Sequence, residues 1–234
     1  MKQKSQENFY HYLRKYKMVK IMEHIINSVK GAIFDLDGTL IDSMQVWDKV
    51  GEDFLLKRGI APPKDFKVAI AEMTFTQSAE YLIKLFNLPM TLIQVIDEWN
   101  DMAFYEYSHN IRLKDGVNEF LIKMKSNGIK IAIATSCLPK LCEAVLKNNG
   151  IFDLFDIIVT SDDVTNNKSY PDIYLAVAEK IGISPSDCVV FEDALYAVIG
   201  ARLAGMQVIG VFERCFANEE SKMRTLCDDY ILSF

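Results

Sequence analysis

Two aspartates, Asp35 and Asp37, are the first residues of this sequence whose types and spacing could do chemistry. They follow the apolar run at 32–34, and in an extended segment side chains two residues apart point to the same side. Paired carboxylates can serve as a nucleophile and as an acid or base. On its own, Asp-Leu-Asp-Gly is equally typical of a turn that leaves a strand.

Three further groups of polar residues stand after apolar runs or at predicted helix starts. Thr135 and Ser136 open a predicted helix, where a hydroxyl and free backbone N–H groups can hold an anion. Lys168 lies just before another helix start, and Glu192 with Asp193 could ligate a hard cation such as Mg²⁺. Taken singly, the hydroxyls and acids are explained as helix caps and the lysine as a surface charge.

The elements that must position these residues follow from the hydrophobic pattern. Short apolar runs predict strands buried on both faces, at 32–34, 131–134, 157–159, 189–191 and 208–211. Helical patterns alternate with them, at 117–126, 138–148, 172–180 and 194–204. This alternation predicts an α/β fold with a doubly wound parallel sheet, whose ligands bind outside the carboxyl ends of the strands.

An insertion separates the first strand from the second. About a hundred residues lie between them, whereas a crossover needs only a dozen or more. Within the insertion, helical patterns occur at 44–57, 64–71, 77–86 and 91–107. We therefore predict a basic N-terminal extension at 1–30, a core domain at 31–43 and 113–234, and an all-helical cap domain at 44–112.

Taken together and in this order, the four groups resemble the motifs of the haloacid dehalogenase superfamily, from Gly31 onwards. The helical insertion is similar to the cap of the β-phosphoglucomutase-like branch. The resemblance implies a Rossmannoid core typical of that superfamily. It also implies a magnesium-dependent phosphatase that hydrolyses a small phosphorylated metabolite, such as a sugar phosphate, through an aspartyl-phosphate intermediate.

The resemblance also assigns a role to each motif residue. Asp35 is expected to attack phosphorus, and Asp37 to act as general acid and then general base. Thr135, the backbone N–H of Ser136 and Lys168 are expected to bind the phosphoryl oxygens.

For the metal, the resemblance implies that Mg²⁺ is held by Asp35, Asp193 and the backbone carbonyl of Asp37. Glu192 is expected in direct or indirect contact with the ion. The third motif departs from the family pattern, which usually reads Gly-Lys-Pro-x-Pro-Asp. Residues 167–172 read Asn-Lys-Ser-Tyr-Pro-Asp, so the lysine is kept in a different loop and its direction is left open.

Cap residues are expected to select the substrate. In β-phosphoglucomutases the cap carries a histidine and an arginine that grips a second phosphate, and the matching positions here are Trp47 and Phe75. Phe75 and Thr76 are predicted to lie on a loop that faces the site. Trp47 and Phe75 either face the substrate or simply pack in the cap core. Because both phosphomutase residues are missing, a phosphatase is favoured, with a sugar phosphomutase as the alternative.

Other activities fit the sequence less well. Dehalogenation does not need the metal and acid/base residues that this chain carries, and no lysine matches the Schiff-base lysine of phosphonate hydrolysis. A non-enzymatic regulator would have no need of all four motifs.

Composition adds constraints on partners and location. The chain has 234 residues, half of them hydrophobic, and a formal charge of −6. Residues 1–30 hold seven basic and two acidic side chains, so the remainder is acidic and nucleic-acid binding is not expected. No apolar run suits a membrane span or a signal peptide, which predicts a cytoplasmic protein. The five cysteines lack C-x-x-C spacing and are expected to be free thiols.

The basic extension allows several interpretations. It could be a helix docked on the core, or a frayed segment whose true start is Met18 or Met22. Its mixture of basic and apolar residues also allows an amphipathic helix that touches a membrane surface or a protein partner.

Overall fold

The computed structural model describes residues 17–63, 66, 73 and 75–234. Residues 1–16 of the extension, and the helix predicted at 64–71 apart from Phe66, lie outside the described residues. The chain divides into two compact units. The larger comprises Met1–Ser43 and Arg112–Phe234, and the smaller comprises Met44–Ile111.

A six-stranded parallel sheet forms the centre of the larger unit. Its strands are β1 (Gly31–Phe34), β2 (Lys130–Thr135), β3 (Ile157–Thr160), β4 (Cys188–Glu192), β5 (Gln207–Val211) and β6 (Asp229–Ile231). They are ordered β3-β2-β1-β4-β5-β6, and every neighbouring pair is parallel. The predicted doubly wound α/β fold is confirmed. Strand β6 was not predicted from the sequence, because it has only three residues and no apolar run.

Helices connect the strands and build the insertion. In chain order they are α1 (17–28), α2 (Val46–Leu56), α3 (Phe75–Phe86), α4 (Leu92–His109), α5 (Val117–Ser126), α6 (Pro139–Asn148), α7 (Asp172–Ile181), α8 (Leu195–Leu203) and α9 (Glu220–Leu226). Helices α2 to α4 belong to the smaller unit. No helix among the described residues is both long and apolar enough to span a membrane.

Aromatic packing fixes the ends of the two central strands. The rings of Phe34 on β1 and Phe191 on β4 stack with centroids 4.7 Å apart. Phe120 on α5 meets both rings edge-on, at 6.3 Å and 5.4 Å. All three side chains are buried or nearly so. Because Asp35 and Glu192 directly follow these phenylalanines, the cluster holds both carboxylates in register.

The described part of the extension is a helix packed on the larger unit. Ile21, Met22 and Ile25 of α1 are buried, and Lys17 forms an ion pair with Asp229 at 2.6 Å. Apolar residues at these positions lie on one helix face. For residues 17–28, the docked-helix interpretation is therefore the one that the structure supports.

The smaller unit has its own core. Phe54 of α2 packs edge-on against Trp99 of α4, with ring centroids 5.8 Å apart. Arg58 lies over the Phe54 ring at 3.7 Å, and its guanidinium is paired with Glu98. Helix α4 starts with a capping box, in which the N–H of Gln94 donates to the Thr91 hydroxyl. The regular secondary structure described in this unit, α2 to α4, is all helical, as predicted for the insertion.

Candidate active site

Three buried carboxylates meet at the carboxyl ends of β1 and β4. Asp35 follows β1, Glu192 ends β4, and Asp193 comes next. Each offers an oxygen that lies within 4.8 Å of those of the other two, and the residues are only 7%, 1% and 3% exposed. The strand order reverses between β1 and β4, which is the point where doubly wound sheets bind their ligands.

Lys168 joins this cluster. Its Nζ donates a hydrogen bond to Asp35 Oδ1 at 2.6 Å and also forms an ion pair with Glu192. Burial alone would lower the pKa of Lys168, but the charges of Asp35 and Glu192 outweigh burial and raise that pKa well above its ordinary value. The lysine therefore stays protonated, and its altered loop still brings it to the carboxylates.

The cluster carries more negative than positive charge. Burial, together with the charge of Asp35, raises the pKa of Glu192 to about 7 against the opposing effect of Lys168. Burial and the charges of Asp35 and Glu192 raise the pKa of Asp193 well above its ordinary value. Such shifts mean that the folded protein resists ionising all three carboxylates together.

Asp193, in the same cluster, has one carboxylate oxygen that accepts a hydrogen bond and one that we call its open oxygen. Its Oδ1 accepts a hydrogen bond from the Thr39 hydroxyl at 2.9 Å, whereas its Oδ2 is buried and has no hydrogen-bond partner among the described residues. A buried carboxylate oxygen without a donor is uncommon in folded proteins, and oxygens of this kind are the ligands that Mg²⁺ prefers. The residues present therefore fit the predicted ion.

Asp37 lies on the loop that leaves β1 and is partly buried. Its Oδ1 accepts a hydrogen bond from Ser43 Oγ at 2.6 Å. The loop turns at Gly38, whose φ of 83° is in the region that favours glycine. The N–H of Gly38 then donates to the Ile41 carbonyl at 3.0 Å. This turn and the serine hold the second carboxylate beside the end of β1.

Lys114, which was not among the predicted site residues, contacts the loop that follows β1. Lys114 Nζ donates to the Gly38 carbonyl and forms an ion pair with Glu213 at 2.6 Å. Glu213 follows β5 and is only 8% exposed. The pair joins positions that are far apart in sequence, so neither residue carries a local signal that could have revealed it.

Thr135 and Ser136 lie at the end of β2, the neighbour of β1. Thr135 is buried, and its Oγ1 accepts a hydrogen bond from the N–H of Cys137 at 3.0 Å. Ser136 is exposed, and its Oγ accepts from Ser161 at 3.2 Å. Helix α6 begins only at Pro139. Both predicted anion-binding residues therefore share the sheet edge of the carboxylates.

Comparison with known proteins identifies the family. The model of the haloacid dehalogenase-like hydrolases matches residues 32–211. This chain belongs to the haloacid dehalogenase-like hydrolases. The family prediction from the four motifs is confirmed, and so is the prediction that the chain is a phosphatase rather than a non-enzymatic regulator.

Relatives of this hydrolase include two Escherichia coli phosphatases. Fructose-1-phosphate phosphatase YqaB is 28% identical over 184 residues, which cover 77% of this chain and 95% of the relative. Hexitol phosphatase A is 29% identical over 184 residues, which cover 78% of this chain and 82% of the relative. The crystal structure of a Thermotoga maritima protein proposed to be a β-phosphoglucomutase matches with a TM-score of 0.79 and 25% identity, covering 86% of this chain and 94% of that one.

Within this hydrolase, the predicted cap residues lie in the smaller unit. The rings of Trp47 and Phe75 are 5.0 Å apart, and Phe75 also contacts Trp99 at 5.2 Å. Thr76 is exposed. The prediction that Phe75 and Thr76 lie on a loop is wrong, because they are the first two residues of α3. The contacts of the Phe75 ring with Trp47 and Trp99 pack the first residue of α3 within the smaller unit.

Tyr174 is another residue that sequence reasoning missed. It lies on α7, is fully buried, and its hydroxyl donates to Glu192 Oε1 at 3.0 Å. Burial and the charge of Glu192 raise the pKa of Tyr174 well above its ordinary value, so the hydroxyl keeps its proton. On sequence alone, Tyr174 looks like one of the apolar positions of a helix face.

Proposed function

We propose that this hydrolase is a magnesium-dependent phosphatase that releases phosphate from a small phosphorylated metabolite, such as a sugar phosphate, through an aspartyl-phosphate on Asp35. The observation that carries the proposal is the buried juxtaposition of Asp35 with Lys168 and with the open oxygen of Asp193. The names of the relatives that act on fructose 1-phosphate and hexitol phosphates support the substrate class.

In the first half of the proposed reaction, a carboxylate oxygen of Asp35 forms a bond to phosphorus as the bond to the leaving alcohol breaks. Asp37 gives its proton to the departing oxygen. Lys168 balances the charge that accumulates on the phosphoryl oxygens, and Thr135 with the Ser136 N–H binds the same group. The hydrogen bond from Ser43 keeps Asp37 oriented for this transfer.

In the second half, water replaces the alcohol. Asp37, now ionised, takes a proton from the water that attacks the phosphorus of the aspartyl-phosphate. The bond between phosphorus and the Asp35 oxygen breaks, which releases inorganic phosphate and restores the carboxylate. One residue thus serves as acid and then as base, and both steps use the same contacts to the phosphoryl group.

The proposed metal ligands are Asp35, Asp193 and the backbone carbonyl of Asp37. When bound, Mg²⁺ supplies positive charge that offsets the carboxylates and the phosphoryl oxygens. Glu192 is already engaged by Lys168 and Tyr174. We therefore assign it an indirect role, in which it holds the lysine in place for the phosphoryl group.

Release of phosphate from a panel of sugar phosphates tests the proposal. We expect turnover that requires Mg²⁺, is lost in excess EDTA and returns when Mg²⁺ is restored. Sodium chloride at the same ionic strength is the control for a general salt effect. Equal turnover with and without chelator contradicts the metal dependence, and absence of turnover across the panel contradicts the substrate class.

A phosphomutase is the second candidate, because of the similarity to the Thermotoga maritima structure. A phosphomutase must hold a second phosphate while the sugar reorients. The positions at which β-phosphoglucomutases carry histidine and arginine are Trp47 and Phe75 here, and neither side chain can pair with an anion. We therefore place hydrolysis ahead of isomerisation.

A further inference from the structure

Lys168 is held in a turn formed by residues 167–170. The backbone N–H of Tyr170 donates to the carbonyl of Asn167 at 3.0 Å, which closes the turn. Lys168 is the second residue of this turn, and it is 2% exposed although Asn167 and Tyr170 on either side are exposed. The backbone of the turn therefore decides whether the lysine side chain enters the carboxylate cluster.

The side chain of Asn167 reinforces the turn. Its Oδ1 accepts a hydrogen bond from the N–H of Ser169 at 3.1 Å and a second from Ser169 Oγ at 2.5 Å. Asparagine often bonds the backbone two residues further on in this way and so mimics a turn. These bonds connect the residues on both sides of Lys168, and so they restrain the backbone dihedral angles of the lysine itself.

Helix α8 packs directly against the same turn. A β-carbon added at Gly200 would overlap the carbonyl oxygen of Lys168 and lie 2.7 Å from that of Tyr170. The bare backbone of Gly200 thus fits against the turn where any side chain would not. Because α8 starts two residues after Asp193, this contact connects the turn at 167–170, called the lysine turn below, with the carboxylates at the end of β4.

We propose that Asn167 is a positioning residue, whose side-chain acceptor holds the turn that directs Lys168 Nζ onto Asp35. The inference rests on the proposed function, in which Lys168 balances charge on the phosphoryl group. Lysine has a flexible four-carbon stem, so the direction of its amine depends on a fixed backbone. Small displacements of such a group weaken the interactions that the transition state requires.

Three variants test the role of the side chain, with p-nitrophenyl phosphate as substrate and Mg²⁺ present. For Asn167→Ala we expect kcat to fall about tenfold, the effect of losing one or two hydrogen bonds, while KM stays within about twofold. Asn167→Asp keeps an acceptor oxygen and should restore kcat to within about threefold of the wild type. Asn166→Ala is the matched control, because Asn166 bonds Asp172 outside the turn, and its kcat should match the wild type.

Lys168→Met is measured alongside and separates this inference from the proposed function. If Lys168→Met is inactive and Asn167→Ala keeps the kcat of the wild type, the positioning role is overturned and the proposed function stands. An Asn167→Asp variant as slow as Asn167→Ala, or an equal loss in Asn166→Ala, also overturns the role of the acceptor. If Lys168→Met retains full turnover, both the proposed role of the lysine and this inference are wrong.

Discussion

The environment of Asp35 suits the proposed attack of its carboxylate on phosphorus. Asp35 is buried, and the protonated Lys168 donates a hydrogen bond to it at 2.6 Å, so the proposed phosphoryl group would meet a positive charge beside the nucleophile. The pKa values of its neighbours Glu192 and Asp193 are raised, and so the cluster resists further negative charge until a cation is bound.

Asp35→Asn should therefore abolish turnover, with a loss of about a thousandfold or more in kcat. The amide is neither a nucleophile nor an anionic ligand, although its shape fits the same space. Phosphate release under saturating substrate and Mg²⁺ is the measurement. Asp153→Asn, at an exposed aspartate of the same unit, should keep wild-type kcat. Undiminished turnover in Asp35→Asn would remove the aspartyl-phosphate from the mechanism.

Metal binding should also be visible without catalysis. A ligand that binds only the folded state stabilises it by about 2.7 kcal/mol at a hundred times its Kd, which for a chain of this size is a rise of about 5 °C or more in Tm. We expect MgCl₂ to raise Tm by that amount, and Asp193→Asn to suppress the rise because it changes the carboxylate with the open oxygen. Differential scanning fluorimetry measures the shift, with NaCl of equal ionic strength as control. The same rise in Asp193→Asn would place the ion elsewhere.

At the scale of elements, helix α8 couples the acidic end of β4 to the lysine turn. Gly200→Ala puts a methyl group where the Lys168 carbonyl lies, so the helix or the turn must shift. Because a displacement of about 1 Å can cost a hundredfold in rate, we expect kcat to fall between tenfold and a hundredfold.

The control for Gly200→Ala is Val198→Ala, which removes two methyl groups from a buried position of the same helix. This change should lower the free energy of unfolding by about 1 to 3 kcal/mol while leaving kcat unchanged. Urea unfolding and phosphate release on both variants separate the two effects. A Gly200→Ala variant with wild-type kcat would show that the turn yields to α8 at no cost to catalysis.

Helices and strands differ in how well the sequence predicts them. Strands buried on both faces appear in the sequence as unbroken apolar runs. The observed bounds of α5 also follow from the sequence, because Val117 opens the helical pattern and Asn127-Gly128 ends it. β6 and α9 are too short for a pattern to stand out. Of the site, the motif residues could be found because each follows a predicted strand or precedes a predicted helix.

The remainder of the site is set by contacts between distant parts of the chain. Tyr174 reaches Glu192, and Lys114 reaches Glu213, only after the sheet has brought their elements together. A tyrosine on an apolar helix face and a lysine in a loop have many ordinary explanations in a sequence. What distinguishes them is burial combined with a specific partner, which only the folded chain shows.

At the scale of the whole molecule, the residues of the proposed reaction lie in the larger unit. The choice between hydrolysis and isomerisation depends on basic side chains that could bind a second phosphate. Two described basic side chains of the smaller unit, Arg58 and Lys84, offer little for that purpose. The Arg58 guanidinium is already paired with Glu98 and lies over Phe54. Lys84 is exposed, and its Nζ is 4.0 Å from Glu80. A compensating anion site at either of these two described residues would therefore have to break the pair of Arg58 with Glu98 or use the exposed Lys84.

We accordingly expect β-glucose 1-phosphate, if it is a substrate, to be hydrolysed faster than it is converted to glucose 6-phosphate. A phosphomutase must return the phosphoryl group to the reoriented sugar phosphate before water attacks the phosphorus of the aspartyl-phosphate on Asp35, which requires a firm hold on the second phosphate. Leaving such a charge unpaired costs about 2 to 5 kcal/mol, enough to shift the partition many-fold towards water. The measurement follows glucose 6-phosphate and free phosphate together, with a trace of glucose 1,6-bisphosphate supplied. If isomerisation exceeds phosphate release by a large factor, the phosphomutase becomes the assigned activity, and Lys84→Met and Arg58→Met then test whether either cation replaces the missing arginine.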